Sequence, residues 1–154
     1  MTDDLFPVPA EWAAQARIDE AAYGRMYAAS LADPDGFWLD QARRLDWERF
    51  PTVAGDWSYA AEDFHIRWFA DGVLNVTTNC LDRHLATRGD DVALIWEPDE
   101  PNEEPRRYTY RELHAEVCRF ANTLRAEGVA KGDRVAIYLP MIPEAAFAML
   151  ACAR

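Results

Sequence analysis

Cys80 and His84 lie four residues apart, and so do His114 and Cys118. On a helix that spacing puts both members of a pair on one face. Together the four would offer ligand types suited to Zn²⁺. The zinc reading requires the two pairs to converge. Otherwise each pair flanks the apolar stripe of its own helix and cysteine acts as a small hydrophobe. Nothing here resembles the CxxC knuckle that gives zinc motifs their specificity. The cysteines are therefore read as structural and reduced, with no bound zinc.

Other chemistry is thinner. Lys131 is the single lysine among 16 basic residues and sits in the turn-like triplet Lys131-Gly132-Asp133. A catalytic lysine needs burial or a cationic neighbour, and a turn supplies neither. The two serines, Ser30 and Ser58, stand beside no plausible base. The chain contains no GxxxxGK[ST], GxGxxG or GxSxG motif. Its seven glycines are scattered, so no backbone cradle for a triphosphate is expected. Carboxylate pairs such as Asp90-Asp91 and Glu103-Glu104 read as solvated loop charge.

The elements that must hold these residues fall into two textures. In the first half, Asp19 is a plausible N-cap for a helix near 20–31, with Tyr23, Met26, Tyr27 and Leu31 on one stripe. Asp33-Pro34 opens a second helix, running to about Leu45. After Trp47 periodicity is lost, and the aromatic-rich chain to Phe69 is expected to be extended and wrapped over another surface.

The second half is regular. The turn Asp71-Gly72 leads to an expected helix near 79–88, ended by Gly89. Val92–Trp96 reads as a strand, 97–105 as an acidic hairpin loop and Arg106–Tyr110 as the return strand. Thr109 and Glu112 form a T-x-x-E capping box. The helix behind it carries Leu113, Val117, Phe120, Ala121 and Leu124 at core spacing, and Gly128 stops it. Arg134–Leu139 has the apolar character of a parallel-sheet strand, and Pro143-Glu144 starts a last helix. The order argues an α/β fold with helices covering a sheet. No Gly, Asn or Pro closes the last helix and no strand follows it, so the sequence reads as a chain cut in mid-fold.

Composition excludes some functions. Acidic residues number 27 against 16 basic, a net charge of −11. That charge repels nucleic-acid backbones and anionic membrane surfaces. No apolar run approaches the ~20 residues of a membrane span. The acidic start Met1-Thr2-Asp3-Asp4 lacks the positive charge that opens a secretory signal, and three cysteines in no pattern make no disulfide framework. A cytoplasmic location is expected.

Against that background an ordered series of motifs stands out. Trp68-Phe69-Ala70-Asp71-Gly72-Val73-Leu74-Asn75 is followed by Asn79-Cys80-Leu81-Asp82-Arg83-His84-Leu85. Then come Ala93–Glu97, Tyr108–Leu113 and Val117–Asn122. Lys131–Met141, Pro143–Ala146 and Met149–Arg154 complete it. The series resembles the entry to the AMP-forming acetyl-coenzyme A synthetases. Thr109–Leu113 is similar to the first core motif of adenylate-forming enzymes. Tyr27–Ser30 and Asp33–Trp38 resemble the extension that short-chain acyl-CoA synthetases carry ahead of the adenylating domain. Together these pieces cover about residues 23–154.

The resemblance implies an extension over residues 1–78 and, over 79–154, the incomplete start of the large adenylate-forming domain, a hairpin plus β-α-β-α. It implies a full-length ligase that forms acetyl-adenylate from acetate and ATP with release of pyrophosphate, then transfers the acetyl group to coenzyme A with release of AMP. ATP, Mg²⁺ and coenzyme A would be its cofactors and co-substrates. The phosphate loop, magnesium ligands, acyl pocket and catalytic lysine of that family lie downstream. No catalytic, cofactor-binding or metal residue is therefore assigned within 1–154, and this stretch alone is expected to be inactive scaffold that binds no cofactor. Arg154 is the residue to watch, because the family's chain next approaches the coenzyme A site; otherwise it is an ordinary arginine at a helix end. A propionyl- or other short-chain synthetase shares the pattern. The same residues also admit a non-enzymatic acidic interaction domain or a degenerate pseudo-enzyme. Val135–Leu139 is expected to form a core strand with an unpaired edge. The last helix is expected to lack packing partners, leaving Phe147, Met149 and Leu150 facing water and the isolated chain prone to self-associate.

Overall fold

The computed structural model describes residues 6–154. The acidic start Met1–Asp4, on which the expectation of no leader rests, lies outside the described residues. The chain is mixed helix and strand and divides into two compact units. One runs to Arg44 and takes in Pro51–Ala70; the other comprises Leu45–Phe50 and Asp71–Arg154.

In the first unit α1 spans Ala10–Gln15, α2 Glu20–Ala32 and α3 Pro34–Ala42. Both expected caps form. Asp19 accepts from the Ala22 N–H at 2.7 Å, and Asp33 accepts from Gly36 at 3.0 Å with Pro34 in the first turn. Of the expected stripe on α2, Met26 alone is less accessible. Tyr23, Tyr27 and Leu31 are exposed, and the less accessible positions are Ala22, Met26 and Ser30, one turn apart. α3 ends at Ala42 rather than Leu45, which is itself exposed.

The aperiodic stretch contains a hairpin that its irregular pattern concealed. β1 (Gly55–Ser58) pairs antiparallel with β2 (His65–Trp68), and Gly55 faces Trp68. Trp57 stacks on Trp68 with ring centroids 5.5 Å apart, and Trp38 meets Trp68 edge-on at 6.0 Å. Phe69 leaves β2 with a φ of +49°, left-handed backbone unusual for an aromatic residue, and its N–H donates to the Ala54 carbonyl at 2.9 Å.

In the second unit the single helix expected over 79–88 is three short pieces: α4 (Val76–Cys80), a 3₁₀ turn (Asp82–His84) and α5 (Leu85–Arg88). Asn75 caps α4, accepting from Thr77 and Thr78. β3 (Val92–Trp96) pairs antiparallel with β4 (Arg106–Thr109), with a bulge between Val92 and Leu94. α6 (Tyr110–Ala126) begins at the complete Thr109–Glu112 capping box. It ends in a Schellman closure: Gly128 at φ +87° donates to Arg125, and Val129 donates to Leu124. α7 spans Pro143–Ala153.

The core of this unit is Leu81, Leu113, Val117, Phe147 and Ala151, with Tyr108 set edge-on against Phe147 at 5.2 Å. Two expectations are corrected here. Arg134–Leu139 forms no strand and is exposed, because among the described residues no strand lies beside it to accept its backbone hydrogen bonds. α7, by contrast, has partners. Phe147, Ala148 and Ala151 are buried and Leu150 is partly buried against the core, while Met149 alone of the expected trio is exposed. A helix satisfies its own backbone, so α7 needs only one apolar face to dock; a strand needs a neighbour.

Candidate functional site

α7 carries no capping residue of its own, and the chain upstream supplies one. The Thr77 hydroxyl, fully buried, donates to the Leu150 carbonyl at 2.9 Å, and Asn75 Nδ2 donates to the Arg154 carbonyl at 3.4 Å. The terminal carbonyls of a helix have no partner within it. Here a side chain 79 positions earlier reaches the Arg154 carbonyl, and one 73 positions earlier adds a second donor to the Leu150 carbonyl, which also accepts from the Arg154 N–H at 3.0 Å.

Arg154 extends the same clamp. Its guanidinium makes a bidentate pair with Asp82 at 2.8 and 2.9 Å. His114, on α6, places Nε2 3.4 Å from the same carboxylate, 3.3 Å from Arg154 and 3.5 Å from the Cys118 sulfur. A ring with its proton on Nδ1 accepts from the guanidinium at Nε2; a ring protonated at Nε2 donates to Asp82. The Arg154 hydrogen bonds hold the Asp82 carboxyl below the usual carboxylate range, and Asp82 in turn raises Arg154. One carboxylate thus ties the 3₁₀ turn, α6 and the end of α7 together.

Arg154 and Cys118 face an open cleft of about 1060 Å³. Its apolar wall includes Leu124, Val135, Ile137 and Met149, with Lys131 and Asn122 among its polar groups. The opposite end of α7 is fixed separately. Trp96 Nε1 donates to the Met141 carbonyl at 2.7 Å, and Arg106 lies over the Trp96 ring at 4.4 Å while pairing with Glu144 at 3.3 Å.

The residues singled out by spacing separate. His84 packs on Tyr110 with centroids 5.0 Å apart, Cys80 is exposed, and His114 and Cys118 keep each other's company. Among the described residues no group of three or more His, Cys, Asp or Glu forms a metal-holding set. Lys131 lines the cleft from its turn, where the Ala130 N–H donates to Asp133 at 2.8 Å. Ser30 donates to the Tyr27 carbonyl and Ser58 accepts from the Ala60 N–H. Asp90 pairs with Arg111, and Asp91 with Arg88. Arg154 proves to be more than a helix-end arginine. Its partner Asp82 and the capping pair Asn75 and Thr77 carried no sequence signal, because the contacts span more than 70 positions.

The chain matches the family "Acetyl-coenzyme A synthetase N-terminus" over residues 23–80 and the family "AMP-binding enzyme" over 81–154. It is 60% identical over all 154 residues to an acetyl-coenzyme A synthetase of Novosphingobium aromaticivorans, of which it covers 24%. It is 61% identical over 150 residues, 97% of this chain, to one of Caulobacter vibrioides, covering 23% of that protein. Among solved structures, an acetoacetyl-CoA synthetase from Streptomyces lividans superposes with a TM-score of 0.72 at 31% identity, over 92% of this chain and 22% of that one. The chain thus spans about a quarter of the length of the curated relatives it matches.

Proposed function

Because the chain belongs to the acetyl-coenzyme A synthetase family, two of whose regions it carries in order, we propose that it forms the N-terminal part of an AMP-forming acetate–CoA ligase. The observation that carries this is 60% identity sustained over every residue of the chain. The reaction of the longer protein would form acetyl-adenylate and pyrophosphate from acetate and ATP, then acetyl-CoA and AMP on attack by the coenzyme A thiol. It would run in the cytoplasm, with Mg²⁺ supplying charge stabilisation at the phosphates.

The described residues do not fit an ATP or magnesium site. They offer no metal-holding group and no glycine-rich phosphate loop, so no step of the reaction is routed through them. Their role is scaffolding. Residues 1–78 would be the extension and 79–154 the start of the adenylating domain. There the capped α6 and the clamped α7 fix the frame on which further sheet is laid.

The test is a polypeptide with this sequence at its N-terminus, assayed for AMP release dependent on acetate and coenzyme A. Acetate should be used in preference to propionate. Preference for propionate would move the assignment to a propionyl-CoA ligase, and no acid-dependent AMP release with any short-chain acid would overturn it.

A further inference from the structure

His65 closes the β1–β2 hairpin: it pairs with Ser58 on the last rung before the turn at 59–64. Its ring lies between acceptor oxygens on both sides. Nε2 is 3.0 Å from the Asp56 carboxylate, and Nδ1 is 3.0 Å from the Asp63 carbonyl and 3.3 Å from the Asp63 carboxyl oxygen. A neutral imidazole carries one N–H and one lone pair, whereas imidazolium carries two N–H groups. Only the imidazolium donates in both directions. The geometry therefore requires a proton on each nitrogen, and the side chain, 21% exposed, exchanges one with solvent without unfolding. The charged groups around the ring come from three places. β1 supplies Asp56, the turn supplies Asp63, and β2 itself supplies Arg67, which also reaches Asp56 at 3.5 Å. The two carboxyls favour the imidazolium and the guanidinium opposes it. The hydrogen bond to Asp56, then that to the Asp63 carbonyl, raise the histidine above its ordinary value of 6.5. The same His65 bond holds the Asp56 carboxyl below the usual carboxylate range, so Asp56 stays an acceptor near neutrality.

We propose that His65 is a proton-operated latch, which fastens the hairpin turn to the strands when charged and frees it when neutral. Loss of one proton to water leaves the ring a single N–H. It stays on Nε2, because a charged acceptor makes the stronger bond. The bare Nδ1 then sets its lone pair against both Asp63 oxygens, and the turn moves away from the ring. Asp56 keeps Nε2 and Arg67 as partners, so the ladder survives while its tip is released. Among the described residues the tip's other hydrogen bonds and ring contacts are local. Asp63 donates to the Ala60 carbonyl at 3.1 Å, Ala60 donates to the Ser58 hydroxyl at 3.2 Å, and Tyr59 meets Phe64 edge-on at 6.0 Å. Tyr59 and Phe64 are both exposed, so release changes how an aromatic pair is presented to solvent. This inference rests on the hairpin alone and is independent of the ligase reading.

Amide hydrogen exchange in a polypeptide with this sequence at its N-terminus, followed from about pH 6 to about pH 9, tests it. Taking the rate in 59–64 relative to α2 at the same pH removes the intrinsic dependence on hydroxide. Relative exchange in 59–64 should rise about tenfold as His65 loses its proton, while 55–58 stays protected. His65→Gln carries no titrating ring and should abolish the step; Asp56→Asn should move it to lower pH. A wild type with no step overturns the proposal. So does a step that His65→Gln retains, or one that appears in 55–58 rather than in the turn.

Discussion

Asp82 takes two hydrogen bonds from one guanidinium, and its neighbours decide how it responds to pH. Its folded pKa is depressed, so its contribution is present above the ordinary carboxylate value and lost as pH falls through the folded one. Asp82→Asn should lower stability by about 1–3 kcal/mol, since a partly buried arginine loses a charged partner, and acid unfolding should then be less steep. A denaturant melt near neutrality and one at low pH check both. Thr77→Val tests the neighbouring cap. It keeps the buried shape but leaves the Leu150 carbonyl with the Arg154 N–H alone, at 3.0 Å, a loss of about 0.5–1.5 kcal/mol. In the other unit His65 Nε2 lies 3.0 Å from Asp56, and that bond, aided by the Asp63 carbonyl, raises the imidazole pKa. The stabilisation is complete below the ordinary histidine value of 6.5 and fades as pH rises through the raised one. An NMR titration should put the His65 midpoint above 6.5, and Asp56→Asn should bring it back down.

At the scale of elements, α6 is specified at both ends by local chemistry. Thr109→Ala removes the reciprocal cap and is expected to cost about 1 kcal/mol. Gly128→Ala forces a side chain into φ +87° and should cost a similar ~1 kcal/mol. Thermal melts of the two single variants and the double should show near-additivity, because the sites lie at opposite ends of a 17-residue helix. α7 is of a different kind. Its ends are held by Trp96, Arg106, Thr77 and Asp82, so its helicity depends on the rest of its unit. A peptide of residues 142–154 should be largely unstructured alone, as expected for an isolated helix this short, and a helical far-UV spectrum would contradict that.

For the whole molecule, the ligase reading makes a plain demand. The purified 154-residue chain should release no AMP from ATP in the presence of acetate and coenzyme A beyond an ATP-only control. Transition-state charge in phosphoryl transfer needs placed cations, and none is grouped for that task among the described residues. Elemental analysis should find far less than one zinc per chain; stoichiometric metal whose removal by chelation also removes helicity would reverse that assignment.

Several features were legible in residue order because they are local. The caps at Asp19, Asp33 and Thr109, the stop at Gly128 and the β3–β4 hairpin each depend on groups within a few positions of one another, or on a strand–loop–strand pattern. So did the family resemblance, since motif order survives without any fold. What the sequence could not determine was every outcome set by a distant partner. Tyr23 and Tyr27 have helical spacing yet face outward, because spacing names a face but not which face meets a neighbour. Arg134–Leu139 has strand composition, but a strand exists only where another backbone accepts its hydrogen bonds. Phe147 is buried because α6 lies against it, and Arg154 is a clamp because Asp82 arrives from 72 residues away. Local chemistry is written in neighbouring residues, whereas burial and pairing belong to the folded chain that brings distant ones together.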